Sequence, residues 1–216
     1  MEKASKSATF LQRHPIVKDL ISLVVFVGAV ALGTLLLNTF VFRSYNVVGG
    51  SMENTLLNDD RVIVNRLTVS WSHFLSREYV PKRGQIIVFA NGDSSGAMTC
   101  SAPTGIQDQY IIKRVIAFPG ERVTVKSGVM TIYNDEYPEG FIYDKEWRVS
   151  SEDGPKEYTS GEVDLIVPEG ELFVSGDNRE GSNSYDSRNG LGTIPYCRVV
   201  GPITFRLFPI NRFRFF

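Results

Sequence analysis

The chain has 216 residues, 43% of them hydrophobic and 22% charged, and 24 acidic against 23 basic side chains leave a formal net charge of -1. That balance excludes a strongly basic nucleic-acid binder and a disordered acidic chain. His14, His73, Cys100 and Cys197 are the only His and Cys residues and show no paired ligand spacing, so neither a structural zinc site nor any other cofactor is expected.

From residue 20 to 42 no side chain is charged. At about 1.5 Å per residue such a helix crosses a hydrocarbon core of about 30 Å. A cleaved leader has an apolar stretch of only about 7 to 15 residues; Ala29-Val30-Ala31 resembles a cleavage site, but the apolar run continues past it and fits a retained anchor. Lys3, Lys6, Arg13 and Lys18 precede the run, while only Arg43 follows closely. The positive-inside rule therefore predicts a cytoplasmic tail over 1–18, an anchor over 19–42 and an extracytoplasmic domain over 43–216. In that compartment Cys100 and Cys197 are either a disulfide or two separate buried thiols, and spacing does not choose between them.

Past the anchor, apolar runs of strand length recur at 61–65, 85–90, 110–117, 122–126, 129–133, 172–175 and 199–207, with no comparable helical period. A mainly antiparallel β domain on one N-terminal transmembrane helix is expected. Gly128 in Lys126-Ser127-Gly128 supplies the positive φ of a hairpin turn. Two stretches rich in small, charged and turn residues, about 91–109 and 134–161, read as exposed insertions. Residues 67–81 read as a loop whose Trp71, His73, Phe74 and Leu75 either pack or meet the bilayer interface.

The shortage of His nearly excludes a His-based triad, so a hydrolase on this chain needs another base. Lysine serves when burial lowers its pKa from about 10.4 towards neutrality. Lys113 lies among Ile and Val in the 110–117 strand, and on a period-2 strand it and Arg114 face opposite sides, so at least one points at the core. An edge-strand lysine that blocks aggregation has the same sequence appearance. Ser51 follows two glycines, which suits a tight turn with a reachable hydroxyl and a backbone amide free to face an oxyanion. Residues 176–188 interleave two Asp and two Arg with small polar residues after an apolar strand, a composition suited to a hydrogen-bonded network that fixes a site.

The anchor, Gly50-Ser-Met-Glu-Asn-Thr-Leu56, Asp60-Arg-Val-Ile-Val64, Lys113-Arg-Val-Ile-Ala-Phe-Pro-Gly-Glu121 and Gly176-Asp-Asn-Arg179 with Asp186-Ser-Arg188, in that order, resemble type I signal peptidases of the single-anchor form typical of Gram-positive bacteria. The resemblance implies a membrane-bound serine endopeptidase that removes N-terminal signal peptides from exported preproteins after a small residue. By it, Ser51 is the nucleophile, Lys113 the general base, and the Ser51 amide part of the oxyanion hole. Ser184 is the lysine-orienting serine, with Ser182 its rival because this loop is about two residues longer than usual. Asp177 with Arg114, and Asp186 with Arg188, are supporting ion pairs, and Met52 restricts the residue preceding the cleaved bond. The implied partners are preprotein signal peptides, the lipid bilayer and the secretion machinery, with no nucleic acid, and the implied location is the cell membrane with the catalytic domain outside.

Two positions depart from the family pattern. Gly49 stands where some relatives carry an oxyanion-binding serine, and Asn54 stands where proline is usual. The rival reading is a non-catalytic or pilin-dedicated accessory protein of pilus assembly on the same fold. The non-catalytic ones replace the nucleophile or base, whereas this chain keeps both; sequence does not separate a pilin-dedicated role from general processing.

Overall fold

The computed structural model describes residues 15–91, 110–146 and 158–216. It divides into two compact units, Met1–Val41 and Phe42–Phe216.

In the first unit, helix α1 (Pro15–Leu36) continues as a π-helical turn over Leu37–Val41. Proline suits the helix start because its missing N–H is one of the donors a first turn leaves unpaired. Ile16–Val41 is a 26-residue apolar helical run, none of it buried, and at 1.5 Å per residue it exceeds a hydrocarbon core of about 30 Å. Within it the Thr34 hydroxyl donates to Val30 O at 2.9 Å, so this polar group is satisfied by its own helix.

The second unit is antiparallel throughout its described pairings. Strands β1 (Phe42–Asn46), β2 (Arg61–Asn65), β3 (Ile86–Ala90), β4 (Tyr110–Ala117), β9 (Glu171–Ser175), β10 (Ile194–Pro195) and β11 (Val199–Phe208) form one sheet in the order β1-β2-β11-β3-β4-β9-β10, with β12 (Arg214–Phe215) added to β11. Strands β5 (Arg122–Lys126), β6 (Val129–Tyr133), β7 (Phe141–Ile142) and β8 (Val163–Ile166) form a second sheet in the order β7-β6-β5-β8. The β5–β6 hairpin turns through Ser127 (φ 51°) and Gly128 (φ 82°). Both turn residues thus take positive φ, as a two-residue type I′ turn requires, and not Gly128 alone.

The expected β class, each apolar run read as a strand, and the single N-terminal apolar helix are all present. Three expectations need correction. First, β4 is no edge strand: it lies between β3 and β9, and Lys113 is 3% exposed, so protection against aggregation does not explain this lysine. Second, residues 67–81 are not one loop, because Leu67–Phe74 form helix α2, which buries Val69 and leaves Trp71 and Phe74 exposed. Third, the 134–161 segment is not wholly an exposed insertion. Its β7 runs into a short helix α3 (Tyr143–Glu146), and Tyr143 is fully buried in a core with Ile116, Val125, Ile132 and Phe173. The 91–109 insertion lies outside the described residues except for Asn91. Cys197 is disulfide-bonded, and Cys100, the other cysteine of the chain, lies outside the described residues.

The core that matters for the site sits beneath the segment between β1 and β2. Val47, Met52 and Leu56 from that segment pack with Val62, Val64, Ile86, Val88 and Ile203. Full burial of such side chains contributes about 1.5–3 kcal/mol each. Met52 and Leu56 therefore anchor the segment that follows Ser51 in the core.

Candidate active site

Two backbone approaches bring the three motifs together. In β4, Lys113 pairs with Ile87 and Arg114 with Ile86 on one side, and Arg114 with Ser175 on the other. Alternation along the strand sends Lys113 and Arg114 to opposite faces, and both are buried. After β9 the chain turns at Gly176, where an added Cβ would collide with Ser184 Oγ and with Ser51 O. Only glycine lets this loop pass so close to the Ser51 backbone.

At the floor of a groove of about 460 Å³, lined by Gly50, Ser51, Met52, Lys113, Ser182 and Tyr185 among others, Lys113 Nζ donates to Ser51 Oγ at 2.6 Å. Burial pushes the Lys113 pKa down from 10.5 to about 8, against the Asp186 and Asp177 carboxylates, which favour the charged form. A lysine so placed is partly neutral near physiological pH, and its neutral form accepts the hydroxyl proton. The Ser51 N–H donates to no acceptor among the described residues, so it is available to a developing negative charge.

Around this pair lies a buried ionic scaffold. Arg114 grips Asp177 with two bonds, Nε to Oδ1 at 2.7 Å and Nη2 to Oδ2 at 2.5 Å. Thr55, four residues past Ser51, donates to the same carboxylate at 2.5 Å. Arg188 holds Asp186 through Nε and Nη2 at 3.0 and 2.9 Å. Burial alone would raise the Asp186 carboxyl, yet hydrogen bonds from Arg188, Ser184 and the Gly176 N–H hold it below the usual carboxylate range.

The structure thus brings together Ser51, Lys113, Met52 and both ion pairs. Met52 is 2% exposed and touches the groove from the core side. Ser184 is buried and donates to Asp186 Oδ2 at 2.6 Å, whereas the hydrogen bond of Lys113 goes to Ser51. Ser182 is exposed on the groove wall. Among the described residues no group of three or more His, Cys, Asp or Glu side chains is placed to hold a metal.

Sequence reasoning assigned no role to several residues of the scaffold. Buried Arg206 donates to Thr55 O at 3.1 Å and to Asp60 Oδ2 at 3.0 Å, and Arg212 bonds the other Asp60 oxygen at 2.6 Å. Fully buried Arg179 bonds both Asp144 oxygens, at 2.7 and 2.9 Å, and stacks on Tyr143. The segment that carries Tyr143 and Asp144 therefore supports the 176–188 loop. Asn178 contacts the backbone on both sides of Ser51. Asp60, Asn178 and Arg179 lie in the motifs that carry the family resemblance, and Arg206 and Arg212 are arginines in otherwise apolar or turn sequence; either signal identifies a candidate but not its partner.

A hydroxyl bonded to a buried, partly neutral amine in an open groove is the equipment of a serine hydrolase, and the helix that precedes this antiparallel β domain is long and apolar enough to cross a membrane. The family model "Signal peptidase, peptidase S26" matches residues 17–208. Signal peptidase I S of Bacillus subtilis (strain 168) is 33% identical over 83% of this chain and 84% of its own length. Signal peptidase I T of the same strain is 35% identical over 83% and 81%, and probable signal peptidase I-1 of Synechocystis sp. is 34% identical over 82% and 77%. A crystal structure of a signal peptidase I from Enterococcus faecalis V583 aligns with 59% of this chain and 99% of its own at 27% identity, with a TM-score of 0.36. The chain belongs to the signal peptidase family, peptidase S26. It is a serine peptidase that cleaves signal peptides from preproteins, and its N-terminal apolar helix fits membrane anchorage. The non-catalytic accessory reading is not favoured.

Proposed function

We propose that Ser51 and Lys113 are the catalytic dyad of this peptidase. The observation that carries the assignment is the 2.6 Å contact between Lys113 Nζ and Ser51 Oγ in a buried environment. Neutral Lys113 accepts the Ser51 proton as Oγ attacks the scissile carbonyl, and the Ser51 N–H stabilises the oxyanion. The Lys113 ammonium then protonates the departing amine, leaving an ester on Ser51. Water, losing its proton to Lys113, attacks that ester, and the proton returns to Ser51 Oγ as the signal peptide leaves with a free carboxylate. Asp177 with Arg114 and Asp186 with Arg188 hold the strand and loop, and Ser184 acts on Lys113 through Asp186. Met52 limits the residue before the cut bond to alanine size.

The excess of Lys and Arg ahead of α1 supports a cytoplasmic tail over 1–18, an anchor over 19–42 and a catalytic domain outside the cell membrane, where signal peptides emerge from the secretion machinery. The test is to incubate the detergent-solubilised protein with a preprotein panel, including pilins and Ala-X-Ala sites, and to sequence the product N-termini. Separate Ser51→Ala and Lys113→Ala variants lose cleavage; full activity in either sinks the dyad.

A further inference from the structure

The Ser51 amide follows two residues that offer no side chain to hold it. Gly49 and Gly50 have no side chains, and Gly49 takes φ 90° with nothing within 4 Å of where its Cβ would lie. The Gly49 N–H is tied to Asn58 Oδ1 at 2.9 Å, and Gly50 O accepts from the Glu53 N–H at 3.2 Å. These bonds close the turn. They leave the two peptide planes that flank Ser51 without a partner from outside it.

Asn178 supplies that partner. Its side-chain Nδ2 donates to Gly50 O at 3.1 Å, and its backbone N–H donates to Ser51 O at 3.1 Å. One residue therefore holds the carbonyl on each side of the Ser51 Cα. In a trans peptide the C=O and the following N–H point in opposite directions within one plane. Fixing Gly50 O against Asn178 consequently aims the Ser51 N–H away from the Asn178 loop, where it donates to no acceptor among the described residues. Donation to a carbonyl also polarises its peptide, which makes the N–H of that peptide a better donor.

Asn178 is itself rigidly held. Asp177 on one side is locked to Arg114, and Arg179 on the other is locked to Asp144. Asn183 Nδ2 donates to Asn178 Oδ1 at 3.2 Å, which sets the amide so that its NH₂, and not its oxygen, faces Gly50 O. From this geometry we infer that Asn178 is a positioning residue of the proteolytic reaction: its side-chain amide orients the Gly50–Ser51 peptide so that the Ser51 N–H meets the oxyanion. The inference rests on the dyad proposed above.

The test compares Asn178→Ala and Asn178→Asp with the wild-type full chain in detergent. Both variants keep the backbone N–H bond to Ser51 O, and thermal unfolding checks that the loop remains docked. Asp is nearly isosteric but presents an oxygen to Gly50 O, so the expected order of kcat is wild type, then Ala, then Asp. The Asp variant falls by at least about tenfold while KM stays within about twofold, since removal of a whole oxyanion donor costs about 100- to 1,000-fold. Rates are taken on the pH plateau above the Lys113 transition, so a shift of that transition by the new carboxylate does not enter. A peptide boronate ending in alanine, which forms a tetrahedral adduct, loses affinity in parallel with kcat, while a product peptide ending in alanine does not.

A packing role predicts the reverse order, with Asp the milder change, and that order overturns the inference. So does an Asp variant with unaltered kcat and boronate affinity, or a loss confined to KM. Failure of the dyad looks different: wild type does not cleave, or Ser51→Ala does.

Discussion

Lys113 and Arg114 are adjacent on β4 and both buried, but Arg114 grips a carboxylate with two hydrogen bonds while Lys113 has only the Ser51 hydroxyl as its partner among the described residues. One charge is paired directly, while the other has carboxylates only beyond hydrogen-bond reach, and these do not offset its burial. The chain thus carries a group that makes its charged folded form less stable, at the point where the proposed dyad requires a neutral amine.

Replacing Lys113 by Met therefore abolishes cleavage and raises stability. The Lys113 pKa falls from 10.5 to about 8 in the folded protein, so between those values the unfolded chain binds more protons and stability rises with pH. Below about 8 the penalty is fully present, worth roughly 3 kcal/mol. Denaturant unfolding at pH 7 and at pH 10 measures it. The wild type gains stability between the two pH values, whereas Lys113→Met gains less and starts higher. A Met variant less stable than wild type at pH 7 contradicts a net penalty for burying the Lys113 charge.

If the dyad is as proposed, the same amine sets the pH dependence of turnover. Cleavage grows as pH rises through about 8, because only the neutral form takes the Ser51 proton. Asp186 favours the ammonium form, so Asp186→Asn moves the acidic limb of the kcat/KM profile to lower pH. That substitution also removes the charge facing Arg188 and lowers stability. A limb that stays in place or moves upward shows that Asp186 does not act on Lys113 electrostatically.

Arg206 and Arg212 share Asp60 but not its burial: their side chains are 9% and 34% exposed. Removing a partner from a buried pair costs about 3–5 kcal/mol, while an exposed partner is worth about 1 kcal/mol or less. Arg206→Ala is accordingly expected to lower Tm severely, with Arg212→Ala mild. Because Arg206 also donates to Thr55 O, the Arg206 variant loses turnover faster than it loses folded protein, read as activity per folded molecule.

The parts of the site legible in the sequence were those where a residue contradicts its surroundings. Lys113 and Arg114 interrupt an apolar strand, and Ser51 follows two glycines. The residues that were missed act through partners far along the chain: Asp60 and Arg206 are 146 positions apart, and Thr55 and Asp177 are 122 apart. No local pattern encodes such a pairing. The missed strands have a similar cause. β1 follows the apolar run with a mostly exposed Phe-Arg-Ser-Tyr-Asn segment, and its pairing with β2, not its own composition, makes it a strand. Tyr143 looked like part of a charged insertion because Asp144, Lys145 and Glu146 follow it, yet it is the residue that enters the core.

Gly176 provides the sharpest separation of site from fold. Its position is not a left-handed turn that demands glycine for backbone reasons; what excludes a side chain is the presence of Ser51 O and Ser184 Oγ in the space a Cβ would fill. Gly176→Ala therefore pushes apart the two segments that meet there. One carries Ser51, and the other carries Asn178 and Asp186. Since β9 and its pairing with β4 end at Ser175, the sheet persists and Tm falls by no more than a typical overpacking cost of about 1–3 kcal/mol. Cleavage falls by at least about 100-fold, because displacement of reacting groups by about 1 Å already costs that much. The matching control is Gly170→Ala, at a positive φ (74°) but with open space around its Cβ; it strains the backbone outside the groove, so it lowers Tm without altering turnover per folded molecule. Equal loss of turnover in the two variants contradicts a close approach specific to Gly176.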